Sequence, residues 1–200
     1  MNVLLIGASG TLGRAVHTVL KERGHQVVTA SRKDATHTVD ITDPESIAQL
    51  YARVGRVDAV ACAAGTVPWR KVDEISRQEV QDGIEGKVLS QVELVRQGIS
   101  VVPEDGSFTL VTGITARDPI LTGTVAALAN GAVESFVLAA AIELPGRRRI
   151  NAVSPTVFEE SLEEYGDFFA GFDPVPVRRA ANAYVRSIEG HQTGQVYRVE

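Results

Sequence analysis

Residues 3–13 read Val3-Leu4-Leu5-Ile6-Gly7-Ala8-Ser9-Gly10-Thr11-Leu12-Gly13, an apolar run that stops at the first of three glycines. Four consecutive apolar residues ended by glycine predict a strand buried on both faces, because a strand with one wet face would alternate. From Thr11 to Arg23 the apolar residues Leu12, Ala15, Val16, Val19 and Leu20 fall at i, i+3, i+4, i+7 and i+8, and Gly24 supplies a stop. That is one face of a helix. The glycines therefore occupy a strand-to-helix turn. Gly7 permits the tight turn, Gly10 lets the backbone approach a pyrophosphate, and Gly13 lets the helix lie close to the sheet. With free N–H groups at the helix start to meet the phosphates, a dinucleotide is the expected ligand. Gly7, Ser9, Gly10, Thr11, Leu12 and Gly13 are its expected contacts.

The rest of the chain repeats the pattern. Gln26 to Ala30 and Thr38 to Ile41 read as strands, and Asp43-Pro44-Glu45 opens a helix that runs to about Arg53, with Asp as N-cap and Pro in the first turn. Strands are expected at Val57 to Ala61, Phe108 to Thr112, Arg149 to Val153 and Gln195 to Val199. Helices are expected at Ser76 to Gln97, 122–142 and Val177 to Ile188. About seven strands alternating with helices predict an α/β fold, a doubly wound parallel sheet with helices on both faces. The 200 residues suit a single domain spanning 1–200.

The residues after the second strand bear on which dinucleotide is bound. A carboxylate is usual about 20 residues beyond the loop, where it binds a ribose 2′-hydroxyl. Here the place reads Ser31-Arg32-Lys33. Two cations and a hydroxyl attract a 2′-phosphate that a carboxylate would repel, so NADP(H) is the expected cofactor.

A net charge of −5 argues against a general affinity for nucleic acid or anionic membrane. The one basic block, Arg147-Arg148-Arg149, reads as a solvated turn. The lone Cys62 permits no internal disulfide and fits a reducing cytoplasm. His17, His25, His37 and His191 show no metal-ligand spacing, and no G-x-S-x-G elbow occurs. The stretch Leu121 to Ile142 is long enough to cross a bilayer. It carries Asn130 and Glu134 near its middle, however, and a buried or subunit-facing helix is the expectation.

The chain resembles the short-chain dehydrogenase/reductase family. The resemblance rests on GASGTLG at 7–13, Asp40-Ile41-Thr42-Asp43, Cys62-Ala63-Ala64-Gly65, Ile150-Asn151-Ala152-Val153-Ser154-Pro155 and Thr193-Gly194-Gln195. It implies a Rossmann-type sheet, with Asp40 and Ile41 at the adenine and Ala63, Ala64 and Gly65 along the adenosine side. Pro155 to Val157 would lie against the nicotinamide. It also implies a catalytic Tyr and Lys spaced i, i+4 on the helix after the fifth strand, with a Ser and an Asn nearby. Aligned through Asn130-Gly131-Ala132-Val133-Glu134, the Tyr position is Ala126 and the Lys position Asn130, while the Ser falls at Gly113 and the Asn near Lys87. No other register recovers the pair, because no Tyr lies between Tyr51 and Tyr165 and no Lys follows Lys87. The chain thus resembles a short, atypical subgroup that keeps the cofactor site without the usual catalytic group.

Candidates for the remaining chemistry are Lys87, Thr112 and Asn130, with Thr115 and Arg117 beside them. Lys87 pointing inward could stabilise an alkoxide and supply a proton; pointing outward, it would pair with a neighbouring Glu. Arg117 is expected in a salt bridge. Residues 155–175 are a candidate lid, in which Tyr165, Phe168, Phe169 and Phe172 either close over the nicotinamide or only pack together. Small residues on the 122–142 helix suit a homodimer or homotetramer interface. Two functions remain open: an NADP(H)-dependent oxidoreductase of a small carbonyl-type substrate, or a non-catalytic NADP(H)-binding sensor or assembly protein.

Overall fold

In a computed structural model, which describes residues 1–200, seven strands form one wholly parallel sheet in the order β3-β2-β1-β4-β5-β6-β7. They are β1 (Asn2–Ile6), β2 (Gln26–Ser31), β3 (His37–Thr38), β4 (Ala59–Cys62), β5 (Ser107–Val111), β6 (Arg149–Pro155) and β7 (Val196–Val199). The helices are α1 (Thr11–Glu22), α2 (Pro44–Val54), α3 (Arg77–Gly83), α4 (Ser90–Gly98), α5 (Thr124–Glu143), the single turn α6 (Leu162–Tyr165) and α7 (Val177–Glu189). Strand order reverses between β1 and β4, which pair from Val3↔Ala59 to Ile6↔Cys62. A crevice opens beyond the carboxyl ends of strands at such a switch point.

The period-2 geometry of β1 divides the core. Leu4 and Ile6 pack with Ile47 and Leu50 of α2, Leu94 of α4 and Val133 of α5. Val3 and Leu5 pack with Val16 and Leu20 of α1 and Tyr184 of α7. One strand feeds two helical layers, so it has no wet face and reads as an unbroken apolar run. Asp43 caps α2, its Oδ1 accepting from the Glu45 N–H at 2.9 Å. Ser76 and Glu79 close a reciprocal capping box on α3.

Three expectations need correction. The third strand holds only His37 and Thr38, and Asp40 and Ile41 lie in the turn after it. There the Asp40 side chain accepts from the Thr42 N–H at 3.0 Å and hydroxyl at 2.7 Å, which bends the backbone away from a ladder. The helix expected from Ser76 to Gln97 is wound in three parts, with a π-helical segment, Ile84–Leu89, between α3 and α4. The basic block is also more than a solvated turn. Arg148 donates to the carbonyls of Val102, Pro145 and Ile99, and Arg149 to those of Ser187 and Ile188. Two of its three guanidiniums therefore satisfy helix-end and loop carbonyls.

Helix α5 is long and apolar enough to cross a membrane by composition, with a mean hydropathy of 1.8. Val125, Ala126, Ala129, Val133, Val137 and Ala140 are buried. Leu128, Leu138 and Ile142 stand 50%, 58% and 88% exposed on the other side.

Candidate active site

The glycine loop has the shape its spacing implies. Gly7 sits at φ +80°, and a Cβ there would lie 2.8 Å from the Ala63 carbonyl oxygen. A Cβ on Gly13 would lie 2.0 Å from the Gly7 carbonyl oxygen, whereas one on Gly10 would meet nothing nearer than 3.6 Å. The first and third glycines therefore hold loop, strand and helix together, and the second leaves the approach clear. No side chain caps α1 and its first turn carries no acid. The N–H groups of Thr11, Leu12 and Gly13 find no acceptor in the protein. Orphan donors beside a cradle that added Cβ atoms would fill suit a pyrophosphate.

A cleft of about 1040 Å³ runs from this turn across the switch point. Gly7, Ser9, Gly10, Ser31, Arg32, Lys33, Asp40, Ile41, Ala63, Ala64 and Gly65 all line it. Leu12 and Gly13 are buried behind the loop and offer only backbone N–H groups, while the Thr11 side chain faces a groove between α1 and α7. Arg32 and Lys33 are exposed and make no ion pair. Asp34, in the left-handed region at φ +56°, adds one carboxylate to the same rim, a residue that strand-end counting passed over. The Thr42 hydrogen bonds, with Arg32 nearby, hold the Asp40 carboxyl below its usual range.

A second cavity of about 320 Å³ continues from the first, and the two share Gly65, Thr66 and Val67. Lys87, Thr112, Thr115 and Asn130 converge on it, as does Pro155. Lys87 comes from the π-helical segment, and three features place it. Gly83 admits Val125 of α5, whose Cγ1 would lie 2.3 Å from an added Cβ, and Gly86 admits the Thr66 carbonyl at 2.6 Å. The fully buried Gln91 then bonds both backbone groups of Val111 on β5, at 2.8 and 2.9 Å, and the Lys87 carbonyl at 3.0 Å. π-helical turns concentrate at functional sites because the extra residue re-aims a side chain.

The Lys87 stem lies on Gly65, its Cγ 3.1 Å from where a Cβ would stand. No carboxylate is within ion-pair distance of its ammonium, and desolvation lowers its pKa to about 8. Lys87 is accordingly the inward lysine of the two readings. Beneath it Cys62 is fully buried, its thiol pushed up to about 11.

The other candidates divide. Asn130 donates from Nδ2 to Thr115 Oγ1 at 2.8 Å, while its Oδ1 is buried without a partner. Thr112 lines the cavity, but its hydroxyl donates to Glu134 Oε1 at 3.0 Å. That carboxylate also accepts from Ser154 at 3.0 Å and Arg117 at 3.3 Å, and Arg117 pairs with Glu200 at 2.5 Å. Thr112 is thus committed to a network that ties α5 to β6, and Arg117 is in the expected salt bridge. Val157 is buried outside both cavities, where its carbonyl accepts from the Val175 N–H at 3.1 Å. Its own N–H has no protein acceptor, and the hydroxyl of Thr156 beside it is a second buried orphan. Thr156 lies within the Pro155 to Val157 segment that the family resemblance marks.

Residues of the 155–175 segment pack on a residue that sequence reasoning missed. Tyr165 and Phe168 pack on Trp69, with ring centroids 6.4 and 6.1 Å away, and Phe169 meets Phe172 edge-on at 5.4 Å. Trp69, Tyr165 and Phe169 wall the small cavity. Trp69 follows a proline in an irregular loop, with no periodicity to mark it.

The family model described as enoyl-(acyl carrier protein) reductase matches residues 7–187. The chain belongs to the short-chain dehydrogenase/reductase family. The solved structure of the protein lin1944 from Listeria innocua is 46% identical over 100% of both chains, with a TM-score of 0.98. A small-chain dehydrogenase in complex with NADPH is 23% identical, covering 100% of this chain and 96% of that one, with a TM-score of 0.88. Another small-chain dehydrogenase is 24% identical at the same coverage, with a TM-score of 0.86. No curated protein matches the sequence. In this short-chain dehydrogenase/reductase, Ala126 and Asn130, expected from the sequence to stand at the family's Tyr and Lys positions, both line the small cavity.

Proposed function

We propose that this protein is an NADP(H)-dependent oxidoreductase of a small carbonyl compound, an atypical family member in which Lys87 holds the transferable proton. The observation that carries the reading is the ammonium of Lys87, unpaired in a cavity continuous with the dinucleotide cleft. The α1 amides and the glycine loop hold the pyrophosphate, and Arg32 and Lys33 take the 2′-phosphate. Asp40 and Ile41 flank the adenine. Pro155, with Thr156 and the free Val157 N–H, orients the nicotinamide carboxamide. When bound, NADPH supplies the hydride. Lys87 donates to the substrate oxygen, stabilises the charge developing there and gives it a proton. Trp69 and the 155–175 lid keep water out.

A protonated Lys87 serves reduction and a neutral one serves oxidation. Because kcat/KM reports the free enzyme, ketone reduction falls as pH rises past about 8, and alcohol oxidation rises over the same range. The test is a panel of small ketones with NADPH, read at the nicotinamide absorbance, for wild type and Lys87→Met. Turnover lost in the variant with NADPH affinity retained supports the reading. Tight binding of both redox forms without turnover on any ketone favours a non-catalytic NADP(H) sensor or assembly protein, a reading that Ala126 and Asn130 at the family's catalytic positions make specific. The exposed Leu128, Leu138 and Ile142 face, open around Gly131, supports a homodimer or homotetramer, and the single buried Cys62 supports a cytoplasmic setting.

A further inference from the structure

Asn130 is 3% exposed, and its amide is packed so that a Cβ on Gly113 would stand 3.1 Å from Nδ2. Nδ2 is used on Thr115, and Oδ1 is left buried and unpaired on a residue that lines the cavity. A buried acceptor without a donor is costly, and the cost is relieved when a ligand brings one. Lys87 also lines the cavity, with an ammonium that has no acidic partner. The rest of the wall mixes apolar side chains, Ile114, Ala126, Trp69 and Phe169, with the hydroxyls of Thr112, Thr115 and Thr156.

We infer that the substrate is a small hydroxy- or amino-ketone, whose carbonyl oxygen accepts from Lys87 and whose O–H or N–H donates to Asn130 Oδ1. The inference rests on the reductase reading above and narrows its substrate class. A cavity of about 320 Å³ that also admits a nicotinamide ring leaves room for a short chain or single ring. Such a site selects sharply, because a ligand lacking the donor leaves Oδ1 desolvated and unpaired.

The test reads binding rather than turnover. With NADP+ present, no ketone can be reduced, and 2- and 3-hydroxycyclohexanone are titrated against their methyl ethers. Trp69, the one tryptophan of the chain, reports occupancy by its fluorescence. In wild type, the alcohol at one ring position binds at least about tenfold more tightly than its ether, the scale of one well-made hydrogen bond. Asn130→Leu brings that ratio close to one, and Asn130→Asp, which keeps an acceptor, preserves it. Equal binding of alcohol and ether at both positions overturns the inference, as does failure of all four compounds to bind. It is equally overturned if Asn130→Leu weakens NADPH binding while the alcohol-to-ether ratio persists, since Oδ1 would then serve the cofactor. Selective binding without any reduction by NADPH would refute the role of Lys87 and leave that of Asn130 standing.

Discussion

Replacing Lys87 by Met tests the buried ammonium without any knowledge of the substrate. Met keeps the stem's contact with Gly65 and removes the charge. In the unfolded chain the lysine holds its proton up to the ordinary value of 10.5, whereas in the fold it gives the proton up near 8. Below pH 8 both states are protonated and the fold bears the full cost of the buried charge. Between 8 and 10.5 the unfolded state binds more protons, so wild-type stability rises with pH. The interval between the two values corresponds to roughly 3 kcal/mol at about 1.4 kcal/mol per pH unit. Part of the residue remains within reach of water, and screening reduces this to ~1–2 kcal/mol. Urea unfolding of wild type and Lys87→Met, at pH 7 and again at pH 10, measures it. The wild type gains about that much on the variant between the two conditions, and groups that titrate alike in both proteins cancel. A difference that stays flat between pH 7 and 10 would refute the burial of the ammonium and, with it, the proton donor.

Gly13→Ala drives a methyl to within 2.0 Å of the Gly7 carbonyl oxygen, so NADPH binding by calorimetry is lost and the melting temperature falls by the equivalent of ~1–3 kcal/mol. Gln91→Leu leaves the Lys87 carbonyl and both Val111 backbone groups without their side-chain partner, which costs on the order of 3 kcal/mol in urea unfolding. Arg32→Ala weakens NADPH by about 1–3 kcal/mol and leaves NADH unchanged, and equal wild-type affinity for the two would remove the 2′-phosphate assignment. Leu138→Glu with Ile142→Glu lowers the molecular mass in sedimentation to that of the monomer if α5 is the subunit interface; an unchanged oligomer would place the interface elsewhere.

Much of this architecture was legible in the sequence, and its failures share a cause. Val3 to Gly13 carried the fold, because an unbroken apolar strand, three spaced glycines and an i, i+3, i+4 helix agree with one another. Most strand ends moved by a residue or two. The third strand shrank to His37 and Thr38 because Asp40 prefers its own turn, a local competition that hydrophobic pattern does not register. The lining of the large cleft was readable since its residues follow strands directly. The small cavity was only half readable. Lys87 and Asn130 could be found by alignment, but Thr112 is spent on Glu134, and that pairing joins residues 22 apart on different elements. Trp69 sits in a segment without period, and its place follows from the cavity wall it meets. The inward aim of Lys87 depends on irregular winding, which Gly83, Gly86 and Gln91 allow and no repeat in the sequence announces.

That winding makes the chain between Ile84 and Leu89 intolerant of changes in length. Removing a single residue there would let ordinary α-helical hydrogen bonds re-form, and everything on the amino-terminal side would rotate by about 100°, the angle one residue subtends in such a helix. Gly83 would no longer meet Val125, the capping box at Ser76 would face a different quarter, and the lysine would leave its cavity. Amino-acid exchanges along this segment can be graded in their effects; a deletion acts as a ratchet, all or nothing.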